Sequence, residues 1–240
     1  MQMELSGYTA LGDRVENEDT GAYDKMGADG FFAVVCDGLG AHGGGKTASR
    51  TAAEALSRGK ATKDLPTAGQ ITAWMNDANA EILRKREGPS HMKTTAVALY
   101  VRGTGAIWAH IGDSRLYHYY NGELADFTQD HSVCQTLVKV GEITRRDIPG
   151  HPDRSKVLRV IGEENIRPEV HPQIELQPGF HAFLLCSDGL WERLQEDEIM
   201  IELHKAPNPE QWLLALRTRA LMRKNTDVDN NTAVAAYITV

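Results

Sequence analysis

Four aspartates stand where an apolar run meets a polar loop. "FFAVVCDGLGAH" ends such a run on Asp37, "AIWAHIGDSR" on Asp113 and "FLLCSDGLW" on Asp188, while "DVDNNTAVAAYI" sets Asp229 just before another. Near the N-terminus "GDRVENEDT" adds Arg14, Glu18 and Asp19. A buried carboxylate is costly unless it is paired or binds a metal. If these strands share one sandwich, their carboxylates converge at one edge, and two charges ~4 Å apart repel by roughly 4 kcal/mol at an effective dielectric near 20. Multivalent cations remove that penalty. Oxygen-only ligands suit hard ions, Mg²⁺ or Mn²⁺, and the CxxC or HxxxH pairs that zinc prefers do not occur in the chain. Asp-Gly is also a turn signal. Asp29-Gly30, which precedes a strand and has no matching partner, is read as a turn only.

The elements that must position these residues are legible in the same pattern. Phe31–Cys36 is a continuous apolar run, as expected for a strand covered on both faces. Thr94–Val101 and Ala106–Ile111 flank "RGTG", and Leu116–Tyr120 and Leu124–Phe127 flank Asn121-Gly122, so both pairs read as hairpins. Phe183–Cys186 and Thr232–Val240 are further strands. Helical spacing joins Ala48, Ala52, Ala55 and Leu56, then Ile71, Trp74, Met75, Ala78 and Ile82, then Trp212, Leu213, Leu216 and Ala220. "KAPNP", Lys205 to Pro209, is an inter-helix loop. Hairpin-linked strands favour antiparallel sheets, and amphipathic helices need a sheet face to cover. The expected core is therefore sheet on sheet with helices outside.

With 240 residues, 41% hydrophobic and 25% charged, the chain fits an ordinary globular composition, and the absence of repeats or linkers argues for one domain over 1–240. No apolar run approaches the ~18 residues of a membrane span, and the start lacks a signal-peptide pattern. Cys36, Cys134 and Cys186 are odd in number and far apart, as expected for thiols in a reducing, cytoplasmic setting. Net charge is −7 with no basic stripe, which argues against nucleic acid.

The motifs "RVENED", "VVCDGLGAHGGGKTAS", "HIGDSRLY", "TQDHS", "HPDRS", "LLCSDGLW" and "DNNT", spanning Arg14 to Thr232 in this order, resemble the PP2C-type metal-dependent serine/threonine protein phosphatases, in their bacterial single-domain branch. The resemblance implies an α+β fold of four layers, α/β/β/α, an antiparallel β-sandwich flanked by helix pairs. It also implies two Mn²⁺ or Mg²⁺ ions per site. Asp37 resembles the bridging ligand, Asp188 and Asp229 the other ligands of the first ion, and the Gly38 carbonyl a ligand of the second. Glu18 and Asp19 resemble holders of the second ion's waters, Asp113 a ligand of a third, weaker ion, and Arg14 the phosphate clamp. His42 is the candidate proton donor to the leaving oxygen, while His131 and His151 are read as structural or flap residues. The stretch 141–155 resembles the flap of bacterial members, and its Arg145-Arg146 pair would meet an acidic phosphopeptide or else lie in a solvated loop. Departures from the family pattern are Ala41, Lys46 and Ser155, none of them a ligand position.

The expected activity is hydrolysis of phosphoserine and phosphothreonine in proteins by a metal-activated water, reversing a serine/threonine kinase, by a monomer. Two alternatives stay open at this point: a catalytically inert phosphatase-like regulator, and a metal-dependent phosphatase of small molecules.

Overall fold

A computed structural model describes residues 1–40, 44–86, 92–223 and 228–240. Its strands are β1 (Gln2–Ala10), β2 (Thr20–Lys25), β3 (Gly30–Cys36), β4 (Gly38–Leu39), β5 (Lys93–Thr94), β6 (Ala96–Arg102), β7 (Gly105–Ile111), β8 (Arg115–Tyr120), β9 (Glu123–Phe127), β10 (Glu169–Val170), β11 (Ile174–Glu175), β12 (Phe180–Cys186) and β13 (Asn231–Thr239). The helices are α1 (Gly44–Leu56), α2 (Ala68–Lys85), α3 (Val133–Lys139), α4 (Asp188–Trp191), α5 (Glu196–Lys205) and α6 (Pro209–Met222). One sheet has the order β1-β13-β12-β8-β9, the other β10-β7-β6-β3-β2, and every pairing is antiparallel.

Side-chain alternation along the central strands builds three cores from two sheets. Phe31, Ala33 and Val35 of β3 face the other sheet, where they meet Phe183 and Leu185 of β12 and Val234, Ala236 and Ile238 of β13. The intervening Phe32, Val34 and Cys36 face α1 and α2, packing with Ala48, Ala52, Ile71, Met75 and Ile82. On the far side Leu184 and Cys186 of β12 and Ala233 and Ala235 of β13 receive Trp191, Leu203, Trp212 and Leu216 from α4, α5 and α6. The order is thus α/β/β/α, as expected. Continuous apolar runs in β3 and β12 follow from burial on both faces.

The expected helices all form. The run Thr94–Val101 is broken at Thr95, which separates β5 from β6. Of the strands absent from the sequence reading, β1, β2 and the short β10 lie at sheet edges, β11 pairs with β7 and β4 pairs with β5. Among the described residues no helix is long and apolar enough to cross a membrane.

Strand direction decides where the acids go. β3 and β7 both pair antiparallel with β6, so they run alike and end together. Asp37 and Asp113 follow their C-terminal ends. In the second sheet β12 ends where β13 begins, Cys186 lying opposite Ala233, so Asp188 and Asp229 share one end. β2 begins opposite Cys36, which brings Asp19 there, and β1 ends opposite Asn231, which delivers the loop carrying Arg14.

Candidate active site

A pocket of about 500 Å³ opens at this end of the sandwich, lined by Asp37, Asp113, Asp188 and Asp229 together with Arg14, Glu18, the Gly38 backbone and Asn230. Asp37 owes its position to its main chain: its N–H donates to Thr95 Oγ1 (3.0 Å), and its carbonyl accepts from Thr95 N (2.9 Å) and Thr94 Oγ1 (2.8 Å). The break at Thr95 is therefore functional, since the residue leaves the ladder to hold Asp37. Thr95 Oγ1 is in turn 2.7 Å from Ser114 Oγ, next to Asp113. The Asp113 carbonyl accepts from Trp191 Nε1 at 2.9 Å. Gly38 must be a glycine, because a Cβ there would lie 2.3 Å from the Gly45 carbonyl oxygen and 2.5 Å from that of Glu18.

The second sheet's contribution is braced by "DNNT". Asn230 accepts from Glu18 N (2.9 Å) and donates to the carbonyls of Leu11 (2.8 Å) and Glu16 (3.0 Å), fixing the arginine-bearing loop. Asn231 donates to the Gly189 carbonyl at 2.6 Å. Thr232 N donates to Ser187 Oγ (3.0 Å), whose hydroxyl donates to Asp19 Oδ2 (2.7 Å). Thr95, Ser114, Ser187 and Asn231 are positioning residues that the sequence reading did not single out. For Ser114, Ser187 and Asn231 the only signal was adjacency to the acidic motifs; Thr95, far from them in the chain, gave none.

Electrostatics follow from the crowding of the acids. Burial, then the charges of Asp188, Asp19 and Asp113, push the Asp37 carboxyl well above the usual carboxylate range. Burial and Asp229 raise Asp188, and burial and Asp188 raise Asp113 strongly. Asp37 and Asp188 lie within hydrogen-bonding reach of each other, so the pair shares a proton when no cation is present. Asp19, 7% exposed, is raised by burial to about 7, and its Oδ1 is buried without a hydrogen-bond partner. A set of close carboxylates with an orphaned oxygen behind them is the donor set of a hard divalent cation, so the residues fit the Mn²⁺ or Mg²⁺ that the motifs imply.

This has a measurable consequence in chelator. Each of these folded-state carboxyls titrates above the unfolded value of about 4, so the native state binds more protons and stability falls as pH rises. The window opens there and includes the region about 7, where Asp19 titrates; Asp37 and Asp113, also raised, act in the same direction. The thermal midpoint of the chelated protein should drop across it, and Mn²⁺ should restore more stability at the upper end than at the lower. A midpoint that climbs with pH in chelator would contradict the repulsion.

The other candidates distribute as follows. Arg14 reaches the pocket, where its Nη2 donates to Asp229 Oδ2 at 2.6 Å. Glu18 Oε1 accepts from Gly45 N at 3.1 Å, and burial raises its carboxyl. Lys46 pairs with Glu16 at the rim (3.3 Å). His42 and Ala41 lie outside the described residues. The flap stretch carries a 3₁₀ turn, Arg145–Gly150. Arg145 pairs with Glu196 and stacks 3.5 Å over the Phe127 ring, while Arg146 pairs with Asp197 at 2.7 Å. Both line a separate cavity with Leu194 and Gln195, so the structure does not bring them to the acids. Ser155, the last residue of the flap stretch, and Val157 line the acidic pocket. His131 is buried, stacks on His110 and accepts from Gly112 N at 3.2 Å, and His151 Nδ1 sits 3.3 Å from Cys134 Sγ. These contacts fit the structural reading of both. His110, His131 and Glu169 bring ligand atoms within 4.8 Å of one another, but both His131 nitrogens are engaged, Nε2 with Glu169 Oε2 at 3.4 Å.

Comparison with known proteins gives the family and the fold. The family model described as Protein phosphatase 2C matches residues 6–222. The serine/threonine phosphatase stp of Listeria monocytogenes is 34% identical over 194 residues, covering 78% of this chain and 77% of that one. The crystal structure of the Mycobacterium tuberculosis serine/threonine phosphatase PstP/Ppp superposes with a TM-score of 0.86 at 29% identity, covering 99% of both chains. A structure of the PstP catalytic domain in complex with 2 manganese ions gives a TM-score of 0.79 at 27% identity, over 99% of this chain and 98% of that one.

Proposed function

Because this chain belongs to the protein phosphatase 2C family and is a metal-dependent protein serine/threonine phosphatase, we propose that it hydrolyses phosphoserine and phosphothreonine by direct attack of water at the four-aspartate pocket, reversing a serine/threonine kinase. The observation that carries this reading is the convergence of Asp37, Asp113, Asp188 and Asp229 from both sheets into one pocket. Asp37, Asp188 and Asp229, with the Gly38 carbonyl, would hold two divalent ions; Glu18 and Asp19 would orient their waters, and Asp113 would hold a third. Bound there, Mn²⁺ or Mg²⁺ would supply Lewis acidity toward water and neutralise phosphoryl oxygens.

The chain's own residues do the rest. Arg14 stands at the mouth with 56% of its side chain exposed, and its planar fork matches two phosphoryl oxygens at once. Asp229 parks that guanidinium beside the acids until a phosphate competes for it. Ser155 and Val157 line the pocket at the end of the flap stretch. His42 is the proposed donor of the proton that the leaving seryl or threonyl oxygen needs. No residue need become phosphorylated. An inert regulator would require a lost ligand, and every ligand position carries its acid. We read 1–240 as one catalytic domain with a flap at about 141–155, acting as a cytoplasmic monomer; the three thiols, buried and unlinked, support a reducing compartment.

The test is hydrolysis of p-nitrophenyl phosphate and a phosphothreonine peptide with Mn²⁺ and with chelator. Turnover of both substrates should depend on the added ion; equal rates in chelator would overturn the proposal. Within it, Asp113→Ala should lower turnover by roughly 10–100-fold while calorimetric titration still shows two bound ions. Complete loss of Mn²⁺ binding would place Asp113 among the primary ligands instead.

A further inference from the structure

A second cavity, about 390 Å³, lies on the other side of one wall of the active site. The wall is two chain segments, 11–14 and 228–231, clipped together by Asp13 N to the Val228 carbonyl (2.8 Å) and by Arg14 to Asp229 (2.6 Å). Gly12 and Asp13 face this cavity, whereas Arg14 and Val15 face the acidic pocket. Its apolar surface comes from Leu11 and Leu221, 43% and 47% exposed, over a floor of buried Ala220 and Val228. Arg193 and Arg217 add two cations. Arg217 lies 5.2 Å from the Tyr8 ring centroid and, among the described residues, has no carboxylate partner. The one carboxylate on the described lining, Asp13, is engaged, its Oδ2 accepting from Val228 N at 3.0 Å. Exposed leucines beside a cation without an acid, in a chain of net charge −7, match an apolar side chain with an anionic neighbour.

We infer that this cavity is a docking subsite for the phosphoprotein substrate, taking a large apolar side chain and an adjacent acidic one about three residues from the phosphorylated residue. The spacing follows from the wall: two chain segments side by side, each taking the ~4.8 Å that neighbouring backbones need, make a barrier of roughly 10 Å, which an extended peptide crosses in about three residues at ~3.3 Å each. The inference rests on the phosphatase reading above and adds sequence selectivity to it.

The experiment uses the full chain in Mn²⁺ with three phosphothreonine peptides: one flanked by alanines, and two carrying Leu-Glu three residues before or after the phosphothreonine. One Leu-Glu peptide should show a KM about fivefold lower than the alanine peptide, the worth of a half-buried leucine plus an exposed ion pair. Arg217→Glu and Leu221→Asp should each erase that gain while leaving p-nitrophenyl phosphate turnover unchanged, which also shows that both variants fold. No gain with either peptide, or a gain that survives both substitutions, would overturn the subsite. A dimer seen by sedimentation that dissociates on Arg217→Glu would put a second copy in the cavity and overturn it as well. Failure of the wild type to hydrolyse p-nitrophenyl phosphate at all would strike the phosphatase reading instead.

Discussion

Asp37→Asn is expected to cut phosphopeptide hydrolysis at least ~10³-fold, about 4 kcal/mol of barrier, and to raise the thermal midpoint of the metal-free protein. The two effects share one cause. Asp37 is held by its backbone to Thr94 and Thr95, so an amide of the same shape leaves β3 and its turn in place. The side chain, in contrast, is raised by burial and by the charges of Asp188, Asp19 and Asp113. Removing its charge relieves that repulsion, so the metal-free fold gains stability. The same change deprives bound cations of the ligand placed between the two sheets. Steady-state kinetics with calorimetry in chelator measure both quantities. A variant that loses activity and also loses stability would mean that Asp37 serves the fold, and the site assignment would fail.

Asp130→Ala is expected to destabilise by about 3–5 kcal/mol, the typical result of leaving one partner of a buried ion pair alone. Arg115 Nε and Nη2 donate to Asp130 Oδ1 and Oδ2 at 2.8 and 2.7 Å, with side-chain exposures of 8% and 2%. Arg115 also donates to Tyr117 Oη at 3.1 Å and stacks 3.5 Å over the Trp191 ring, the same indole that holds the Asp113 carbonyl. The pair thus braces the Asp113 turn from behind. The double variant Arg115→Met, Asp130→Ala should recover part of the loss, because no lone charge stays buried. Urea unfolding separates these outcomes; a double variant no more stable than Asp130→Ala would show that packing of the arginine over Trp191 dominates.

What was legible in the sequence follows from what each residue answers to. β3 and the second half of β12, Phe183–Cys186, read clearly because burial on both faces leaves no polar residue in them; His181 interrupts the first half of β12. β1 did not, because "QMELSGYTA" mixes polar and apolar residues at a sheet edge, and only its pairing with β13 makes it a strand. β2, "TGAYDK", is largely exposed and is fixed in the same way by β3. The four pocket aspartates stood out because each marks the mouth of a run. Their roles came from the resemblance, not from the spacing. Asp19 shows the limit: nothing in "ENED" reveals that it is buried behind the pocket beneath Ser187, 168 residues away in the chain. Arg145 and Arg146 show it again, since their partners Glu196 and Asp197 approach only in the folded chain.

The most direct test of the account is a crystal grown with excess Mn²⁺ and measured at the manganese absorption edge. Anomalous peaks should lie among the carboxylate oxygens of Asp37, Asp188 and Asp229, with the Asp37–Asp188 pair separated by an ion in place of a shared proton. Peaks confined to other parts of the surface, with those oxygens still facing one another, would contradict it.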